Sequence, residues 1–119
     1  MRNYQRIKLT EKLIVKALRL KNNDTVNKAF NEMLAFFENY DKIEHTTHSV
    51  VISSIYLQDS HAHRKVYGLC MQTNMAHPTL VRCRKKYISC FCAYYYALIG
   101  KEYSEDFDEL NEILQQNIK

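Results

Sequence analysis

Apolar side chains at Leu80, Cys83, Tyr87, Ile88, Phe91, Tyr94, Tyr95 and Leu98 recur at i, i+3, i+7, i+8, i+11, i+14, i+15 and i+18. A helix brings those positions to one side, because 3.6 residues per turn returns the chain to the same face every third or fourth residue. The stripe predicts a helix over 78–99, about 22 residues and about 33 Å long at 1.5 Å per residue. Pro78 suits its first position, where the missing N–H costs nothing and the fixed φ is already helical. Gly100 is placed to end it.

The rest of the chain also reads as helix. Two Gly and one Pro leave little turn chemistry for a many-stranded β architecture. Thr10 is positioned to cap a helix running to Leu20, with apolar residues at 13, 14, 17, 18 and 20. A second helix begins at Asn23 or Asp24 and carries Val26, Phe30, Met33, Leu34, Phe37 and Tyr40 on one face, with 41–47 as a polar connection. Segment 49–57 is rich in β-branched residues, yet no second convincing strand exists to pair its backbone, so it too is expected to be helical. A break at 58–62 precedes a helix over 63–73, with Ser60 as cap and Asn74 as a left-handed end. Ser104 is expected to cap a short C-terminal helix with Glu105 and Asp106 in its first turn and Phe107, Leu110, Ile113 and Leu114 packing back. The expectation is an all-α compact bundle of about five to six helices in a single domain over 1–119. Residues 1–59 supply the N-terminal helices, 60–100 a helix-turn-helix and 101–119 an acidic C-terminal helix.

Charge is segregated. Residues 60–100 contain no Asp or Glu, but include Arg64, Lys65, Arg82, Arg84, Lys85 and Lys86. The N-terminal stretch carries Arg2, Arg6, Lys8, Lys12, Lys16, Arg19 and Lys21 against Glu11, and the tail reverses this with Glu102, Glu105, Asp106, Asp108, Glu109 and Glu112. Such asymmetry points to a surface that meets a polyanion. No apolar run approaches a membrane span and the N-terminus lacks the apolar centre of a signal peptide, so a cytoplasmic protein with no membrane partner is expected. Cys70, Cys83, Cys90 and Cys92 fit no zinc spacing and read as reduced, core-filling thiols. No Gly-rich phosphate loop or metal-protease helix is present. Neither an enzyme, a metal nor a cofactor is expected.

Two helices joined by a tight turn, the second basic on its outer face, outline a helix-turn-helix. In that motif the second helix enters the major groove with its N-terminal residues against base edges. His77, Thr79 and Arg82 are placed for bases; Arg84, Lys85, Lys86, Arg64 and Lys65 are placed for phosphates. The run 75–88, Met-Ala-His-Pro-Thr-Leu-Val-Arg-Cys-Arg-Lys-Lys-Tyr-Ile, resembles the recognition helix of small phage transcriptional regulators of the RinA/ArpU type. These are similar to the fourth region of bacterial sigma factors. Met75 takes the apolar turn position, Thr79-Leu80 the Thr-Leu pair, and Arg82 with Arg84-Lys85-Lys86 the basic series. Ala76 stands where that pattern has its capping Ser, so the cap is lost or moves to His77. The resemblance covers about forty residues, 60–100, and implies a phage- or mobile-element-encoded regulator of transcription acting on double-stranded DNA. RNA polymerase or another regulator and a second copy of the chain are its candidate partners. The alternative is a non-enzymatic interaction module docking a protein through the basic, tyrosine-rich helix, with Phe91 and Tyr94-Tyr95-Tyr96 as an exposed seam.

Overall fold

The computed structural model describes residues 3–21, 23–57 and 73–118. Every regular element among them is helical: α1 (Asn3–Leu20), α2 (Asp24–Glu44), α3 (His48–Tyr56), α4 (His77–Ile99) and α5 (Phe107–Asn117). α4 packs along α2, α1 packs along α5, and α3 folds back on α2. One apolar core joins all five.

α1 begins a full two turns before the expected start. Ile7, Ile14 and Ala17 continue one buried face through the helix, and Thr10 sits inside it rather than at its end. The Thr10 hydroxyl lies between the Arg6 carbonyl, 2.9 Å away, and Oδ1 of Asn111 on α5, while Asn111 Nδ2 donates to that same carbonyl at 3.1 Å. A residue type that caps helices locally is here a buried polar bolt between two of them.

α2 starts as expected. The Asn23 side chain accepts from the Val26 N–H at 2.9 Å, satisfying one of the free donors of the first turn. It runs on to Glu44, however, so the link to α3 shrinks from 41–47 to 45–47, with His45 in the left-handed region at φ 57°. The tightness of that link has a cause in Asp41. Its carboxylate accepts from the Thr46 hydroxyl at 2.6 Å and from the backbone N–H groups of His48 and Ser49, both at 2.8 Å, and so caps α3 from the preceding helix. α3 is helical despite its β-branched composition because burial of Val51, Ile52, Ile55 and Tyr56 outweighs a propensity loss of a few tenths of a kcal/mol per residue.

Gly100 ends α4 at φ 71°, and the Lys101 N–H closes the cap on the Tyr96 carbonyl at 2.9 Å. At α5 the cap is Asp106, one side chain serving the N–H groups of Asp108 and Glu109, whereas Ser104 only accepts from the Asp106 N–H. Glu105 and Asp106 therefore precede the helix, and its first-turn acids are Asp108 and Glu109.

A buried ion pair joins α1 to α4. Arg84 is 4 % exposed and Glu11 7 %. The guanidinium donates through Nε to Glu11 Oε2 at 3.0 Å and through Nη2 to Oε1, a two-pronged match of fork to carboxylate. Tyr4 covers the same guanidinium, its hydroxyl 3.4 Å from Nη1 and its ring 5.4 Å from Cζ. Burial works against the charge of Arg84, but the Glu11 contacts outweigh it and hold the proton more firmly than in water.

Removing one partner of a buried pair strands the other charge, at about 3–5 kcal/mol, while replacing both with apolar residues is often neutral. Glu11→Ala is expected to lower urea-unfolding stability by an amount in that range. The double variant Glu11→Leu with Arg84→Met is expected to recover most of it.

Candidate nucleic-acid interface

The first three turns of α4 hold His77, Thr79, Arg82, Arg84, Lys85 and Lys86 of the expected DNA-facing residues. The chain enters through Asn74 in the left-handed region at φ 56°, and Ala76 is the cap residue, extended at φ −67° and ψ 150°. Ala76 accepts the first helical bond, from the Leu80 N–H at 3.0 Å, but has no side chain to offer the first-turn donors. The cap thus stays at Ala76 rather than moving to His77, and Pro78 occupies the second helical position.

Beyond the cap, side chains separate by direction. At about 100° per residue, Arg82 and Lys86 lie within about 40° of each other, with Thr79 and Ser89 alongside. Arg84 follows Arg82 by about 200° and so points the opposite way. The consequence is plain in burial: Arg82, Lys85 and Lys86 are exposed, Thr79 is half-buried and Arg84 is enclosed. Arg84 is therefore removed from the expected phosphate-binding set, because Glu11 and Tyr4 already occupy its donors. Arg64 and Lys65 lie outside the described residues. So do His61, His63, Cys70 and nearly all of the expected first helix of the helix-turn-helix.

Each remaining residue has a distinct setting. His77 is exposed and meets the Tyr4 ring edge-on at 6.3 Å. Arg82 bends back to donate to the Thr79 hydroxyl at 3.3 Å. Lys85 leans toward a cleft of about 310 Å³ that it lines with Arg6, Glu105, Asp106 and Phe107, so acids stand beside it. Lys86 lies on the other side, close enough to His48 to disfavour a charge on that ring. Toward the C-terminal half the same outer sector carries only Ala93 and Ala97 in the open.

The aromatic seam expected on α4 turns inward. Phe91, Tyr95 and Tyr96 are at most 1 % exposed and Tyr94 is half-buried. Phe91 and Tyr95 stack at 5.6 Å, and Lys101 sits over the Tyr96 ring. These rings fill the core, where large apolar area contributes most. Cys83 and Cys92 are buried as expected and Cys90 half-buried; burial pushes the thiols of Cys90 and Cys92 up to about 11 and about 12, keeping both protonated. Among the described residues no group of three or more His, Cys, Asp or Glu could hold a metal ion, and no helix is long and apolar enough to cross a membrane.

Two features escaped the sequence reading. Lys8, Lys12 and Lys16 form an exposed i, i+4 line along the outside of α1, visible in their spacing alone. The second is the junction of α2, α3 and α4 at His48, whose Nδ1 is 2.7 Å from the Tyr87 hydroxyl and whose ring packs between Phe37 and Tyr40. Burial raises the Tyr87 phenol well above its usual range and keeps it protonated beside the imidazole.

Partial burial lowers the His48 pKa below 6.5; Asp41 pulls it upward and Lys86 adds to the lowering. For Asp41, partial burial opposes the charge, but bonds from Thr46, Ser49 and His48 win and hold it at about 2 against an ordinary 3.8. Both folded values are depressed. The His48 contribution is therefore complete above its unfolded pKa of 6.5 and declines below it; that of Asp41 is complete above about pH 5 and is lost as pH falls through 3.8 toward 2. Asp41→Ala is expected to cost about 1 kcal/mol near neutrality, the usual worth of a cap, and to flatten the stability curve between about pH 4 and 2. Urea titrations across pH measure both.

Compared with known proteins, the chain matches no family model, no curated protein and no solved structure.

Proposed function

We propose that this chain is a DNA-binding regulator of transcription that meets double-stranded DNA through the outer sector of α4. One observation carries the reading: from Thr79 through Arg82 and Lys86 to Ser89, Ala93 and Ala97, that sector holds cations and small residues and no acid. Arg82 has the forked geometry to bond a guanine edge, with Thr79 beside it, whereas His77 lies about 140° away on the Tyr4 side of the helix start. Lys86 supplies a phosphate contact without reading sequence, and Lys85 a second one at the rim. Ala93 and Ala97 leave the C-terminal half of the helix low, so a duplex can lie close along it. First-turn N–H groups left without a side-chain cap are further donors to phosphate. The likeness of 75–88 to phage regulators supports the same class, with a second copy or RNA polymerase as further partners.

Binding to the DNA upstream of the chain's own coding sequence, followed by mobility shift at two salt concentrations, tests the reading. Three or four phosphate contacts predict a fall of about 40-fold to 150-fold between about 50 and 200 mM salt. Arg82→Ala is expected to cost about 1–3 kcal/mol on a specific site and to relax its sequence preference. Lys86→Ala is expected to weaken all sequences alike and to reduce the salt slope by about one. All of these side chains are exposed, so folding is preserved. Wild-type affinity in the triple variant R82A/K85A/K86A overturns the reading.

A further inference from the structure

α1 exposes a line of three lysines, Lys8, Lys12 and Lys16, at i, i+4 and i+8. Successive members rise by about 6 Å and turn by about 40°, so the line climbs about 12 Å along one side of the helix. No acid interrupts it. Glu11 is the one carboxylate in α1, and it is withdrawn into the buried bond with Arg84. Like charges at i, i+4 repel by a few tenths of a kcal/mol per pair, so the row weakens the helix it stands on. Among the described residues none of the three forms an ion pair; Lys8 instead rests over the Tyr4 ring at 5.5 Å.

Two fixed contacts set where the line points. Glu11 faces Arg84 on α4, and Thr10 faces Asn111 on α5. Around the helix the lysines lie about 60–140° from Glu11 and about 120–160° from Thr10, turned away from both neighbours. The acids of α5 are therefore on the other side of α1, where Arg6 already holds Asp108. On α4, the side that meets α1 is that of Arg84, and Arg82 and Lys86 point about 160° away from it. A straight duplex on the outer sector of α4 thus lies beyond α4 as seen from α1, out of reach of the lysines.

We infer that the Lys8–Lys12–Lys16 line holds the phosphate backbone of a second DNA segment, so that one chain bridges two duplexes. The inference rests on the DNA-binding reading above and adds a second segment to it. Rival occupants of a basic helix need apolar contact. A helix lying on a membrane surface keeps its apolar face open beside its cations, whereas Ile7, Ile14, Val15 and Ala17 of α1 are buried in the core. An acidic amphipathic peptide needs a groove for its apolar side, and the one large apolar side chain that α1 exposes is Leu20 at its end. A phosphate backbone needs neither. Its charges repeat about every 3.4 Å along each strand, so lysines about 6 Å apart fall near every second phosphate. No base-reading group stands in the line, so the contact is indifferent to sequence.

Capture of a labelled duplex by a second duplex fixed on beads, with the full chain as the link, tests the bridge. Wild type is expected to capture at about 50 mM salt and to release steeply as salt rises. K8A/K12A/K16A is expected to capture at least about tenfold less, while its mobility shift on a single limiting duplex changes by less than about twofold. These side chains are exposed, so the circular dichroism spectrum is expected to be unchanged. K8R/K12R/K16R keeps the charge and is expected to capture as wild type. Undiminished capture by K8A/K12A/K16A, as a dimer bridging through two α4 sectors gives, overturns the inference. So does wild type that shifts the single duplex but captures no second one. Release of the second duplex by polyglutamate as readily as by free duplex of equal charge marks a general polyanion sink and also overturns it. Failure of the wider reading looks different: R82A/K85A/K86A then shifts the single duplex as wild type does.

Discussion

The Glu11–Arg84 contact sets the rotation of α4, and the rotation decides which of its cations meet solvent. Four positive residues within five positions cannot all lie on one side of a helix, because successive residues turn by about 100°. Once Arg84 is fixed beneath Tyr4 and against Glu11, Arg82 and Lys86 are carried outward and Lys85 to the flank. An apolar residue at 84 would fill similar space but would let α4 roll against α1 at small cost. The two-pronged bond does not, since both of its hydrogen bonds weaken together when the planes tilt. Desolvation of the two charges offsets much of what their attraction contributes, so the pair acts on orientation more than on stability.

The same balance explains what could be read in the sequence. The phased stripe of α4, its end at Gly100, the Asn23 start of α2 and the helical state of 48–56 all depend on neighbours within a turn or two, and all are legible. What was misplaced depends on partners far along the chain. Thr10 carries a helix-capping side chain, but Asn111 recruits it across 101 positions. Arg84 belongs to a basic run by sequence and to Glu11 by structure, 73 positions away. Tyr95 and Tyr96 look surplus to a small core until α5 and the 101–106 segment close over that side of α4. Asp41 is a compromise case: its partners are near in sequence, but reading it required knowing that α2 continues to Glu44.

In the proposed role α4 has two duties that compete for its surface. Its buried face holds α2 on one side and α1 on the other, which leaves a single open sector for any ligand. A helix inserted deep into a major groove offers residues across a wide arc; this one offers Thr79, Arg82, Lys86 and Ser89 along about 15 Å of axis. So narrow a strip can place two or three base-edge contacts at most. In that role affinity would come from phosphate contacts at its margins, and the margins differ. On the Lys85 side, Glu105 and Asp106 would repel a second strand of phosphates. On the Lys86 side, the surface continues through His48 to Tyr40, with Glu44 exposed one turn further along α2.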